Sequence, residues 1–294
     1  MKQLFFSLPL AARYMVMSAL GFALMGVFVK VAYAQGIPVL EIVAARALVS
    51  ALLSYADVRR KGIPLLGQRK GLLFARGMAG AIALLCVYTA LVNMPFADAT
   101  VLQYLHPMFT AVLAIIFLRE RLQLPTVLCI VFSFIGLLIM VRPEFLFSGL
   151  SGEYSLWAIA AAVMGAFGSA VAYVLVRKLN ATEDVSVIIF YFPMIALPLS
   201  LAMLGNDIVM PQGWTWLVLL MVGISTQLGQ IGLTKAMQTE GAAKATSFSY
   251  LQVVFAIVLG FVYFNEIPSV WTLLGALLIL TGALINVVVK KRET

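Results

Sequence analysis

Residues 100–142 recur at residues 246–288. At a fixed offset of 146, with no gap, 13 of 43 positions are identical. Thr100 meets Thr246, Tyr104-Leu105 meets Tyr250-Leu251, and Phe109 meets Phe255. Glu120 meets Glu266, and Gly136 meets Gly282. Apolar segments agree by chance at ~10% of positions, so this is an internal repeat. Each half holds enough apolar sequence for five membrane spans. Five is odd, so the second copy enters the bilayer upside down. Such inverted repeats around a midplane site are a transporter architecture.

The expected spans are 13–34, 37–57, 71–92, 96–118, 124–142, 155–177, 185–205, 214–236, 242–264 and 269–289. They leave only short loops and tails between them. Hydrophobic residues make up 63% of the chain and charged residues 11%. Helix is the expected form, because hydrocarbon offers the backbone no other hydrogen-bond partner. A membrane barrel needs short segments of alternating polarity, and these stretches are long and continuously apolar. The fold class is therefore all-α integral membrane, ten transmembrane helices in two inverted five-helix repeats, over residues 1–147 and 148–294.

The net charge is +8, and its placement matters more than its size. With a cytoplasmic N-terminus, every Lys and Arg except Lys30, Arg46 and Arg142 falls on the cytoplasmic side. That asymmetry puts both termini inside, and it argues for a membrane protein rather than a nucleic-acid binder. Ala32-Tyr33-Ala34 resembles a signal-peptidase site. The apolar stretch before it is long, Lys30 interrupts it, and the repeat needs the span, so it is read as a retained helix. Cys86 and Cys129 lie inside spans without paired spacing. One histidine, no zinc-ligand cluster, no Gly-rich phosphate loop and no nucleophile–base pair point to no cofactor and no catalysis.

The ends of spans four and nine carry a family likeness. The first reads Ala99-Thr100, then Tyr104-Leu105-His106-Pro107-Met108-Phe109, then Glu120. The second reads Ala245-Thr246, then Tyr250-Leu251-Gln252-Val253-Val254-Phe255, then Glu266. With Glu41 and Arg46 in span two, the chain resembles the ten-span EamA-like branch of the drug/metabolite transporter superfamily. The resemblance implies a helical carrier that moves small metabolites by alternating access, commonly outward. Val253 replaces Pro107 in the second copy, so a proline kink is expected in the first copy alone.

Features in only one copy are the better substrate candidates, since substrates are seldom symmetric. Arg46 leads them. An arginine roughly nine residues into span two is costly unless it faces water or a partner, and its planar fork suits a carboxylate or phosphate. Glu41 is a poor partner, five residues away and about 140° round the helix. Gln227, Gln230 and Thr234 form a polar face on span eight where the first copy has Ala81, Leu84 and Tyr88. Tyr88, Tyr173 and Tyr191 are further wall candidates. A shared polar stripe runs through Gln103, His106 and Thr110, answered by Ser249 and Gln252 at helical spacing. These groups either line a cavity or hydrogen-bond between helices. His106 is also a candidate proton site. Tyr104, Tyr250, Glu41, Glu120 and Glu266 are candidate gate or coupling residues; the blander and preferred reading of Glu120 and Glu266 is a solvated carboxylate or a loop-ordering hydrogen bond, and Glu41 also suits the positive end of span two. Arg76 is expected to snorkel at the cytoplasmic edge.

The reading is an inner-membrane secondary carrier, multi-pass, in the lipid bilayer, with a monomer able to hold the whole pathway and a dimer as the alternative. Its partner is a small polar or amphipathic metabolite, amino acids and derivatives foremost, with a co- or counter-transported ion as a further option. Rival readings are an uptake carrier, a lipid-linked-sugar flippase, a small-cation exporter, a passive channel and an intramembrane enzyme.

Overall fold

The computed structural model describes residues 9–93, 96–142 and 156–288, with side chains for all but 88, 91–92, 96–98 and 288. The helices are α1 Leu10–Ala34, α2 Val39–Lys61, α3 Lys70–Asn93, α4 Phe96–Gln103, α5 His106–Leu118 and α6 Leu124–Val141. The second half holds α7 Leu156–Leu179, α8 Val185–Leu204, α9 Thr215–Thr239, α10 Ala242–Ser247, α11 Leu251–Phe264 and α12 Val270–Val288. The described residues contain ten helical stretches long and apolar enough to cross a membrane. Large apolar side chains face outward, among them Phe117, Leu124, Val270 and Leu284. Lipid is the solvent that makes such a surface stable. Trp157, Trp214, Trp216 and Trp271 are exposed at helix ends, where an interfacial belt forms.

Packing between equivalent helices fixes the relation of the halves. A Cβ built on Gly136 of α6 would lie 2.6 Å from Gly275 O of α12, and one built on Gly282 would lie 3.0 Å from Cys129 O. These contacts exchange when 146 is added to one residue and subtracted from the other. A second pair behaves likewise, Gly136 against Ile279 and Gly282 against Ser133. As residue numbers rise along α6 they fall along α12, so the two helices run antiparallel. The repeats are inverted about a pseudo-twofold axis, the self-complementary arrangement of an isologous interface. Other contacts obey the same exchange. Helix α1 packs along α9 and α7 along α3, while α2 pairs with α8.

Small residues permit these approaches. A Cβ on Gly21 of α1 would lie 2.6 Å from Gly229 N of α9, and one on Gly232 would lie 2.6 Å from Tyr14 O. Backbones touch where side chains would hold them apart.

The fourth and ninth spans are not continuous α-helices. Tyr104 and Leu105 form a turn between α4 and α5, and Phe248–Tyr250 form a single 3₁₀ turn between α10 and α11. Pro107 explains the first break, since it lacks an N–H and its ring clashes with the preceding turn. The proline break belongs to the first copy alone, yet the second copy breaks as well. In the second copy the Thr246 hydroxyl donates to the carbonyls of Ala242 and Ala243, and the Ser247 hydroxyl to that of Lys244. Such back-bonding loosens a helix without proline. Each break falls at the repeated tyrosine, and the two tyrosines meet. Their rings stack with centroids 5.6 Å apart, and Tyr250 Oη donates to Tyr104 O at 2.9 Å.

Candidate functional site

A cavity of about 400 Å³ lies between the halves. Its apolar wall includes Met15, Phe22, Met25, Leu84, Phe192 and Leu233. Its polar wall includes Ser18, Gln103, His106, Tyr173, Gln230 and Gln252. Arg46, Arg76, Tyr104, Ser169 and Ser249 also reach it. Arg46 sits on α2 opposite Phe192 of α8, its guanidinium 5.6 Å from the ring centre. The two positions are 146 apart, so the pseudo-twofold axis passes between them, as it passes between Tyr104 and Tyr250.

Eight of the residues singled out from sequence therefore share one cavity: Arg46, Gln103, Tyr104, His106, Tyr173, Gln230, Ser249 and Gln252. His106 is buried, its ring 5.3 Å from that of Tyr173, and its Nδ1 has no hydrogen-bond partner among the described residues. Gln103 Nε2 donates to Ser169 Oγ at 3.3 Å.

Four others turn elsewhere. Thr110 is fully buried and donates to His106 O at 2.7 Å. Gln227 bridges α9 to α2, accepting from the Ser50 hydroxyl and donating to Ser54 Oγ at 2.9 Å. Thr234 is buried, and its carbonyl accepts from Asn180 Nδ2 at 2.9 Å. Tyr191 donates its hydroxyl to Leu66 O at 2.9 Å. The polar face read on α9 thus divides: Gln230 reaches the cavity, Gln227 bonds to α2, and the Thr234 hydroxyl is buried without a partner among the described residues. The Tyr88 side chain lies outside the described residues.

The sequence reading of Arg76 is corrected. It does not snorkel, being only 4% exposed on the cavity wall. Its guanidinium lies 5.5 Å from the Phe192 ring centre and donates to Gln230 Oε1 at 3.3 Å. Phe192 was missed because an aromatic in an apolar span carries no signal of its own. Its alignment with Arg46 at the repeat offset was the available clue.

The two ends of the cavity differ. Beyond Arg46 and Met25 a vestibule of about 1010 Å³ opens, walled also by Tyr33, Pro38, Thr89, Asn93 and Asp207. The face it opens toward carries Glu266. On the opposite face, that of Glu120, several contacts join the halves. Glu120 accepts from Arg177 Nε at 3.1 Å and from Ala242 N at 2.9 Å, while Arg177 Nη1 donates to Met237 O at 2.6 Å. Glu183 accepts from the Gln68 and Arg69 amides, ordering the start of α3. Lys61 pairs with Asp184 at 2.9 Å and with Asp57 at 2.7 Å. Burial pushes the Asp184 carboxyl up, but hydrogen bonds from Lys61 and Ser186 outweigh it and hold that carboxyl below its usual range. A lateral pocket at Glu120 shares no wall residue with the central cavity.

Among the described residues, fewer contacts join the halves on the vestibule face. Glu266 pairs with Lys30, both about half exposed. Glu41 accepts from Val209 N at 2.9 Å, and Thr215 donates to Gln35. Glu120–Arg177 and Glu266–Lys30 thus form similar bonds at equivalent ends of the inverted halves, one on each face.

Ten spans, an inverted repeat and a central polar cavity define a multi-pass membrane transporter. The chain belongs to the EamA-like transporter family, whose model matches residues 10–142 and again 156–288. It is not an enzyme. The pseudopaline exporter CntI of Pseudomonas aeruginosa is 31% identical over 92% of this chain and 93% of its own length. Solute carrier family 35 member G1 of Mus musculus is 33% identical, over 93% of this chain and 77% of that protein. An S-adenosylmethionine uptake transporter of Rickettsia conorii is 27% identical, over 67% of this chain and 65% of its own length. A crystal structure with 20% identity superposes at a TM-score of 0.78, covering 95% of this chain and 98% of the other; that likeness concerns the fold alone.

Proposed function

We propose that this protein is a secondary carrier that exports small polar or amphipathic organic metabolites across an inner membrane by alternating access. Amino acids and their derivatives are the substrate class put forward. Both termini lie in the cytoplasm, each five-helix half being one repeat, 1–147 and 148–294, and one chain suffices as the working unit. The observation that carries this reading is the cavity between the halves, apolar on one side and rich in amides, hydroxyls and arginine on the other. A cavity of this size and lining suits a small organic molecule. The vestibule beyond Arg46 and the bonded Glu120 face support an access path from one side at a time. The positive-inside pattern supports placing the vestibule on the outer side. Outward movement draws support from the 31% identical exporter. Exchange or an ion gradient drives the cycle.

The test is counterflow in liposomes containing the purified protein. Labelled amino acids should enter saturably, and faster when unlabelled substrate is preloaded. Flux that never saturates would mean a channel and would sink the proposal. Arg46→Ala should lower counterflow of an anionic substrate by about a hundredfold, roughly the loss of one charge-assisted bidentate contact. The elution profile of the folded protein should be unchanged.

A further inference from the structure

We infer that the cavity takes organic anions carrying two acidic groups, one held by Arg46 and the other by Arg76. This rests on the carrier reading above and narrows its substrate class.

The two arginines approach from opposite faces. Arg76 lies roughly 9 Å along α3 from its start at the Glu120 face, and Arg46 roughly 10 Å along α2 from its start at the vestibule face. Both guanidinium groups lie over the ring of Phe192, at 5.6 Å and 5.5 Å from its centre. One small molecule spans that separation, with its charges set along the transport direction.

Arg76 is under-satisfied by its surroundings. A guanidinium has five N–H donors. Among the described residues, its hydrogen-bond partner is the neutral Gln230 at 3.3 Å, and its Nε is buried without one. Among the described residues no carboxylate lies within ion-pair distance of it. A buried charge so placed costs several kcal/mol unless something compensates it. Among the described residues no aspartate or glutamate lines the cavity; Asp207 lies in the vestibule beyond Arg46. Two like charges at one ring also repel in a medium of low dielectric. An acidic group at Arg76 relieves the buried charge there, and a second on the same molecule reaches Arg46 on the same wall. Phe192, Leu84 and Leu233 meanwhile suit an apolar stem. A cation finds no counter-charge on this wall.

Three matched probes test this with the purified full chain: phenylsuccinate, its monoamide and its diamide, at neutral pH and constant ionic strength. Thermal stabilisation against concentration gives each affinity. The diacid should bind at least about tenfold tighter than the monoamide, and the diamide weakest. Arg76→Gln should bring the diacid down to the level of the monoamide, while Arg76→Lys should restore part of the gap. If the wild-type protein holds all three probes alike, prefers the diamide, or gives no response to the diacid, the inference falls. That series needs no variant, so a poorly folding Arg76→Gln protein leaves the test intact. Saturable counterflow of neutral amino acids without a diacid response would overturn the dianion alone. Diacid binding without saturable flux of any probe would overturn the carrier reading instead.

Discussion

Gly21→Ala should cost about 3 kcal/mol of stability, and Gly21→Leu should leave almost no folded protein. The methyl group would meet Gly229 N at 2.6 Å and Ser225 O at 2.9 Å. Both are backbone atoms of a packed helix, so relief requires α1 and α9 to separate along their length. That seam joins the first helix of one half to the other half, and the cavity wall includes Ser18, Ala19 and Phe22 from it. Gly26 is the internal control. It lies on the same helix, and nothing stands within 4 Å of a Cβ built there. Gly26→Ala should change stability by no more than about 0.5 kcal/mol. Fluorescence-detected size exclusion after graded heating compares the two. Equal melting temperatures would mean that the α1–α9 seam is not as close as described.

Replacing Glu120 by glutamine should shift the carrier away from the state seen here. The carboxylate accepts from Arg177 and from the Ala242 amide, joining the first half to the second. Hydrogen bonds to a charged group are worth about 2 kcal/mol, and that converts to about a thirtyfold change in the balance of two states. With the Glu120 face loosened, a cysteine at Ser249 on the cavity wall should label faster from that face. Glu266→Gln should do much less, because the Glu266–Lys30 pair is about half exposed and such pairs are worth little. Labelling rates that rise equally in the two variants would show that the two carboxylates are not distinguished by burial.

Much of the architecture was readable because the signals are long. Ten apolar stretches and a fixed-offset repeat survive any local ambiguity. The described helices start and end within a few residues of the expected spans. Single side chains were harder. Arg76 sits near a span end, where snorkelling is the ordinary outcome, and only tertiary packing keeps it inside. Gln227 and Gln230 lie on one helical face, yet a neighbouring helix claims the first for Ser50 and Ser54. A helix wheel locates a face, whereas the partner across from each residue depends on crossing geometry that no local pattern encodes. The break at Tyr250 was hidden for a similar reason, since nothing as plain as Pro107 marks it. Arg46 was found because a charge deep in hydrocarbon has few innocent explanations.

The bond from Tyr250 to Tyr104 has a consequence of its own. Each tyrosine owns both a phenol that can give and a main-chain carbonyl that can take, so a true dyad would show two reciprocal bonds. Among the described residues one of them is made, from the Tyr250 hydroxyl to the Tyr104 carbonyl. At this point the duplicated halves, however alike their ancestry, have parted.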